Sequence, residues 1–354
     1  MIRTIYLIRH AMPAIPIGER WCVGGRTDLP LGTLGRLQAA LLPYVPALQT
    51  LNAVFCSTLI RARETALPLC ADPRAVPGLE EQDMGAWDGL SFVEIQRRFP
   101  ALYLAREKDP GLLPEGAEAD DAVRTRMCGA LLACLRESEG DIAVVSHKSA
   151  IASITGQRSS LGYTSLSVLR CDGDTLRVEA VGLKPDAVLS DATCVSLLKA
   201  AGADEARIAH CRAVAELADE LCAALNGRGL SLDAQAVHRA ALLHDLARGE
   251  PDHAALGAIW LRELGYPELS RIVRQHHDLD AAELSEAAVV FLADKAVRGD
   301  RRVPIDERFE ASLKQCRTPE ALAAHARRRQ AAMEIQNKIK RLCETEIICQ
   351  EAKP

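Results

Sequence analysis

Hydrophobic and polar positions follow two different rhythms along this chain. In the first half, continuous apolar runs at residues 3–8, 53–56 and 142–146 have strand length and no alternation. That is the pattern of strands buried on both faces of a largely parallel sheet. Segments of helical spacing lie between them, at residues 34–47, 60–69, 92–99 and 120–137. Residues 165–170 and 175–181 flank Cys171-Asp172-Gly173-Asp174, whose Asp-Gly predicts a hairpin closing the sheet with an antiparallel edge. Strands alternating with helices predict an α/β three-layer sandwich. Past Lys184-Pro185-Asp186, from about Ala192, nearly everything reads as helix, with breaks at 226–229, 249–251, 265–267 and 299–304. Residues 319–349 read as one charged helix packed on the second domain or on a partner subunit.

The length of 354 residues agrees with two domains, and 48% hydrophobic with 26% charged content is ordinary for globular cores. A net charge of −5 leaves no electrostatic footprint for nucleic acid or an anionic membrane. The opening MIRTIYLIRH, one short apolar run followed by charge, is expected to be neither a signal peptide nor an anchor, and no run approaches the roughly 20 apolar residues of a membrane span. The 12 cysteines contain no C-x-x-C pair, which predicts reduced thiols and a cytoplasmic location.

Candidate chemistry gathers in two places. Arg9 and His10 end the first apolar run, Arg61 opens the helix after the second, and His147 ends a later one. Guanidinium forks bind phosphate oxygens and stay charged, while a neutral imidazole can attack phosphorus. The second half carries His210, His244-Asp245, His253, His276-His277 and Asp294. Such a mixture of imidazole and carboxylate suits iron, manganese or zinc.

Residues 1–184 resemble the histidine phosphatase (phosphoglycerate mutase-like) superfamily, leaning toward its alpha-ribazole phosphatase branch. The motifs are LIRHAMP, GRTDLPLGTLGRLQA (25–39), CSTLIRARETA (56–66), LEEQDMGAWDG (79–89) and SHKS (146–149). The resemblance implies that His10 is the nucleophile, that Arg9, Arg61 and His147 complete the phosphate pocket, and that Glu81 is the general acid. Glu80 is the competing carboxylate, and the spacing to Gly85 favours Glu81. Ala11, Pro16 and Lys148 stand where the family usually has glycine, asparagine and a small residue. No cofactor is implied for this domain.

Residues 190–310 resemble the HD superfamily of metal-dependent phosphohydrolases, and 311–354 form a helical extension. His210, His244, Asp245 and Asp294 match the defining positions. His253 and His276 fall where two-metal members keep further ligands, with Asp245 bridging. His277 is a further candidate, and Arg248 and Lys295 are either phosphate-neutralising or surface charges. Gly265-Tyr266-Pro267 reads as a helix-breaking turn. The expected whole is an α/β sandwich followed by an all-α HD domain: a bifunctional phosphohydrolase acting on small-molecule phosphate esters. The first domain would work through phosphohistidine. The second would be a metal-dependent phosphohydrolase on a nucleotide or related ester, holding two divalent transition metal ions. Iron or manganese is preferred there, with zinc as the alternative. The competing reading makes the HD domain a ligand-binding regulatory module; a mutase is disfavoured by the short 83–118 segment. The C-terminal helix is a candidate for homo-oligomer contact.

Overall fold

The structure, a computed structural model, describes residues 2–109 and 111–343, and these divide into two compact units, Met1–Leu189 and Ser190–Pro354. In the first unit six strands, β1 (Arg3–Arg9), β2 (Ala53–Cys56), β3 (Arg74–Ala75), β4 (Ile142–Ser146), β5 (Leu166–Asp172) and β6 (Thr175–Leu183), form one sheet in the order β3-β2-β4-β1-β5-β6. The first four are mutually parallel, and β5 and β6 add the antiparallel edge. Alternate residues of β4 show why its sequence is apolar throughout. Ile142 and Val144 enter one core, against α5 (Asp120–Arg136) and α6 (Lys148–Thr155). Ala143 and Val145 enter another, with Ala62 and Ala66 of α2 (Ile60–Ala66). Three layers follow.

The expected helix over 34–47 is interrupted: α1 (Thr33–Leu41) gives way to two single 3-10 turns, Leu42–Tyr44 and Pro46–Leu48. Pro43 and Pro46 lack the N–H that an α-helix would need there. The segment after Gly89 holds α3 (Phe92–Arg98) and a further helix the spacing did not reveal, α4 (Pro100–Lys108). Trp87, Phe92, Phe99 and Tyr103 cluster there and form a wall.

The second unit is helical: α7 (Asp191–Ala200), α8 (Glu205–Asn226), α9 (Ala234–Leu243), α10 (His253–Glu263), α11 (Pro267–Arg274), α12 (Glu286–Lys295), α13 (Ile305–Leu313) and α14 (Pro319–Cys343). Every residue of α12 from Ala287 to Lys295 is buried, so this helix is the centre of the unit, as its all-round apolar sequence requires. The expected break at 299–304 begins as the turn of a short hairpin, β7 (Val297–Arg298) with β8 (Arg301–Arg302), instead of a plain loop. Gly265, at φ +94°, ends α10 and Pro267 opens α11, the turn expected of that tripeptide. α14 buries Ala332, Ile335 and Ile339 and packs against α8, α12 and α13 within its own unit. Residues 344–349 of the expected helix lie outside the described residues. Among the described residues, no helix is long and apolar enough to cross a membrane.

Candidate phosphoryl pocket and metal centre

The register of β1 on β4 places Arg9 opposite Ser146, so His10 and His147 emerge side by side at the carboxyl edge of the sheet. Their ring centroids are 4.9 Å apart. His10 Nδ1 lies 2.7 Å from the Ala11 carbonyl, which can only accept; Nδ1 therefore carries the proton and Nε2 keeps its lone pair. Burial first, then Arg61 and Arg9, hold the His10 imidazole well below its ordinary pKa, which keeps it neutral. Burial, Arg61 and His10 do the same to His147, whose two ring nitrogens have no hydrogen-bond partner among the described residues.

Arg61 is fully buried. Its Nη1 donates to the Thr27 carbonyl (2.7 Å) and its Nη2 to that of Gly24 (3.1 Å). The loop offering those carbonyls is latched by Asp88, which accepts from Gly24 N, Arg26 N and the Thr27 hydroxyl. Asp28 caps α2 by accepting from Ile60 N at 2.8 Å. Gly35 and Gln38 both serve the backbone after His10. Gln38 accepts from Met12 N (2.9 Å), and a Cβ at Gly35 would strike the Met12 carbonyl. These contacts account for the spacing of the 25–39 motif. Arg9 stacks on Tyr163, 4.0 Å from the ring centroid, and donates to Leu161 O.

Glu81 is buried against the first turn of α6, accepting from Ser149 N (3.0 Å), Ala150 N (3.1 Å) and Gln82 N (2.9 Å). It lines the same 660 Å³ cleft as Arg9, His10 and Tyr163. Glu80 instead binds the Thr58 hydroxyl and Gly78 N. Arg126 holds the loop in place, donating to the carbonyls of Gly78, Glu80 and Glu81. Of the three departures, the Ala11 methyl packs with Leu31 and Ala39, and Pro16 is exposed. Lys148 is half-buried and lines the cleft. Tyr163, Asp88 and Arg126 carry no spacing signal that the sequence could have offered.

In the second unit, six ligand-type residues fall into two groups: His210, His244 and Asp294, and His253, His276 and His277. Asp245 lies between them. Its Oδ2 faces His210 Nε2 (3.9 Å) and His244 Nε2 (3.6 Å), and its Oδ1 faces His253 Nε2 (3.4 Å) and His276 Nε2 (3.9 Å). Asp294 Oδ1 is 3.3 Å from His210 Nε2 and 3.6 Å from His244 Nε2. Backbone carbonyls orient three of the rings: Gly299 O on His210 Nδ1, Ala241 O on His244 Nδ1 and Val273 O on His276 Nδ1. Each leaves Nε2 aimed inward as an acceptor, the usual outer-shell arrangement of a metal ligand. Among the described residues the buried Nε2 atoms of His244 and His276 have no hydrogen-bond partner, so the donor set fits a transition-metal cation.

His277 joins the second group, with Nε2 3.0 Å from His253 Nε2. Adjacent residues on a helix would diverge, but α11 ends at Arg274 and both histidines follow it in a turn. Burial, then His244, brings His276 down to about 3, and burial, then Lys295 and His276, brings His277 to about 2. Both stay neutral. Burial is the largest single influence and opposes charge on Asp245 and Asp294, but His244, His253 and Arg248 around the first, and Lys295, His210 and His244 around the second, together outweigh it and lower both carboxyls. Lys295 is not a surface charge: it is buried, bonded to Asp294 Oδ2 (2.5 Å) and the His276 carbonyl (3.1 Å). Arg248 is exposed but also bonded inward, to Asp245 Oδ2 at 2.5 Å.

The class this fold defines is that of phosphoric ester hydrolases. The chain belongs to the histidine phosphatase superfamily: residues 5–184 match the family model of its branch 1, and residues 207–299 match that of the HD domain. Among similar proteins, a glucosyl-3-phosphoglycerate phosphatase of Mycolicibacterium vanbaalenii is 26% identical over 197 residues, 51% of this chain and 85% of that one. An uncharacterized protein of Methanocaldococcus jannaschii is 33% identical over 129 residues, 30% of this chain and 76% of that one. A solved structure of a putative alpha-ribazole-5'-P phosphatase of Escherichia coli is 24% identical with a TM-score of 0.42, covering 51% of this chain and 97% of that one.

Proposed function

We propose that the chain is a bifunctional phosphohydrolase with two chemically independent centres. In the first, His10 Nε2 attacks the phosphorus of a small phosphomonoester. The bond to the leaving oxygen breaks as Glu81 gives that oxygen a proton, so the alcohol departs neutral. Arg9, Arg61 and His147 hold the phosphoryl oxygens while charge redistributes over them. Water then attacks the phosphohistidine, Glu81 takes its proton back, and inorganic phosphate leaves His10 restored. The observation that carries this reading is the His10 geometry: its proton is fixed on Nδ1 by the Ala11 carbonyl, beside His147 and the buried Arg61.

In the second centre, His210, His244, Asp245 and Asp294 would hold one divalent ion, and His253 and His276, with His277, a second that shares Asp245. Iron or manganese suits this set, with zinc the alternative. Such ions supply water activation and charge neutralisation for phosphoester hydrolysis of a nucleotide or related ester. The chain's own contribution is to aim the ligands through backbone carbonyls and to balance the carboxylates with Lys295 and Arg248. Two inward-facing carboxylate oxygens on Asp245 support this over a module that only binds a ligand.

The test is a phosphate-release screen on the full chain, with EDTA and with added manganese or iron. One set of substrates should turn over in EDTA and be lost in His10→Ala. Another should need metal and be lost in Asp294→Ala. A single activity abolished by both variants would contradict the two-centre reading.

A further inference from the structure

Two cavities open beside the histidine and aspartate cluster of the second unit. The smaller, 390 Å³, reaches His210 and Asp245, and the larger, 730 Å³, reaches His253, His277 and Asp294. Among the described residues only Arg248 and Arg308 line both. Arg248 is held by Asp245 Oδ2. Arg308 has no such anchor. Its Nε is buried without a hydrogen-bond partner, and among the described residues no carboxylate forms an ion pair with it. The other cations of the larger cavity are engaged, Lys295 by Asp294 and Arg328 by both oxygens of Asp278 (2.9 and 2.6 Å). Arg207 and the exposed Arg298 line the smaller cavity alone. Two carboxylates outside the ligand cluster also line these spaces. Asp204 caps α8 by accepting from Arg207 N (2.8 Å), and Glu320 is exposed in the first turn of α14.

Arg308 comes from beyond the residues that match the HD family, 207–299. α13 buries Ile305 and Phe309, four residues apart, and Arg308 lies on the flank of that stripe, three residues from Ile305. The pose of this helix is fixed from several sides. Arg329 of α14 pairs with Asp306 (2.7 Å), and His325 Nε2 lies 3.0 Å from the Phe309 carbonyl. The Arg328 fork on Asp278 straps α14 to the residue that follows His277. A guanidinium is thereby carried to the divide between the two cavities. A buried N–H with no acceptor is unfavourable until a ligand brings one. The ligand that fits is a phosphoryl group, whose several oxygens match the guanidinium fork.

We infer that Arg308 binds the phosphoryl oxygens of the ester taken by the second centre, so that α13 and α14 complete its substrate site. This inference rests on the metal-centre reading of the second unit.

Inorganic phosphate is the probe, titrated calorimetrically into the full chain reconstituted with manganese and into the same chain stripped of metal. The difference between the two removes any phosphate held in the pocket of the first unit. Wild type is expected to show a metal-dependent phosphate site. Arg308→Met should weaken it about tenfold to hundredfold, the size of one charge-assisted hydrogen bond, with bound manganese per chain unchanged. Arg308→Lys should restore part of the affinity. In a His10→Ala background, which silences the first centre, metal-dependent ester hydrolysis should show a similar rise in KM on adding Arg308→Met. A wild-type chain without a metal-dependent phosphate site overturns the inference, as does an Arg308→Met chain that binds phosphate like wild type. So does one that loses its manganese, because Arg308 would then serve the ligand cluster and not the substrate. Metal-dependent turnover with an unchanged KM in Arg308→Met also overturns it, and leaves the phosphohydrolase reading intact. A chain that binds phosphate through Arg308 but hydrolyses no ester refutes the phosphohydrolase reading and leaves the Arg308 site standing.

Discussion

Replacing Glu81 by glutamine separates its chemical role from its structural one. Oε1 accepts from Gln82 N, Ser149 N and Ala150 N at 2.9, 3.0 and 3.1 Å, whereas Oε2 has only the longer, shared contact from Ser149 N at 3.2 Å. A glutamine can put its carbonyl oxygen where Oε1 lies and its amide where Oε2 lies, so the anchoring bonds survive and only the transferable proton is lost. Folding stability of Glu81→Gln should stay within about 1 kcal/mol of wild type. Glu81→Ala, which orphans those donors at the start of α6, should cost about 1–3 kcal/mol. General acid catalysis is worth roughly a hundred- to ten-thousandfold when the leaving group needs a proton. Glu81→Gln should therefore slow an alkyl phosphate by that factor and p-nitrophenyl phosphate by less than about tenfold. Initial rates over a series of esters with increasingly basic leaving groups, in EDTA, measure the divergence. Parallel losses across the series would refute the reasoning and leave Glu81 as a structural cap.

Asp245→Ala should empty both metal positions, and His253→Ala mainly the second, so bound metal per chain should fall from two toward none and toward one; elemental analysis after iron or manganese reconstitution reads this. Gly35→Ala would drive a methyl into the Met12 carbonyl, displacing the backbone after His10. It should cost phosphatase activity at least about tenfold, the price of misplacing a reacting group, while metal content is unchanged. His238 lies between Asp219 (2.8 Å) and Asp191 (3.0 Å); burial opposes its charge, but the hydrogen bonds it donates to the two carboxylates, with their attraction for its charge, together outweigh burial and raise its pKa. That contribution is complete below the unfolded value of about 6.5 and is lost as pH rises through the higher folded value. The urea midpoint of wild type minus that of His238→Gln should accordingly shrink as pH rises above about 6.5, and a constant difference would contradict the assignment.

How much of this was legible depended on whether a residue's role leaves a local trace. The strands β1, β2 and β4 were plain because both of their faces are buried and the sequence has to be apolar at every position. The two-residue strand β3 is exposed at both residues and leaves none. The spacing to Gly85 favoured Glu81 over Glu80, and of the two it is Glu81 that lines the cleft, while Glu80 binds the Thr58 hydroxyl and Gly78 N. Tyr163 acts through its aromatic face, Arg126 by donating to backbone carbonyls and Asp88 by accepting from the 24–27 loop, each across a long stretch of chain where no spacing rule applies. Paired His276 and His277 were readable as candidates, yet their convergence on one group depends on α11 stopping at Arg274, a tertiary outcome. Lys295 beside Asp294 resembled any surface lysine until α12 proved to be buried along its length.

The most direct test of the central claim is to trap the covalent intermediate. The full chain, held in EDTA, is mixed with a phosphate-labelled ester, quenched within the first turnovers and mapped by mass spectrometry. A phosphoryl group on His10, stable in base, lost in acid and absent from His10→Ala, is the predicted result. EDTA-resistant turnover that leaves His10 unlabelled and persists in His10→Ala would contradict the account.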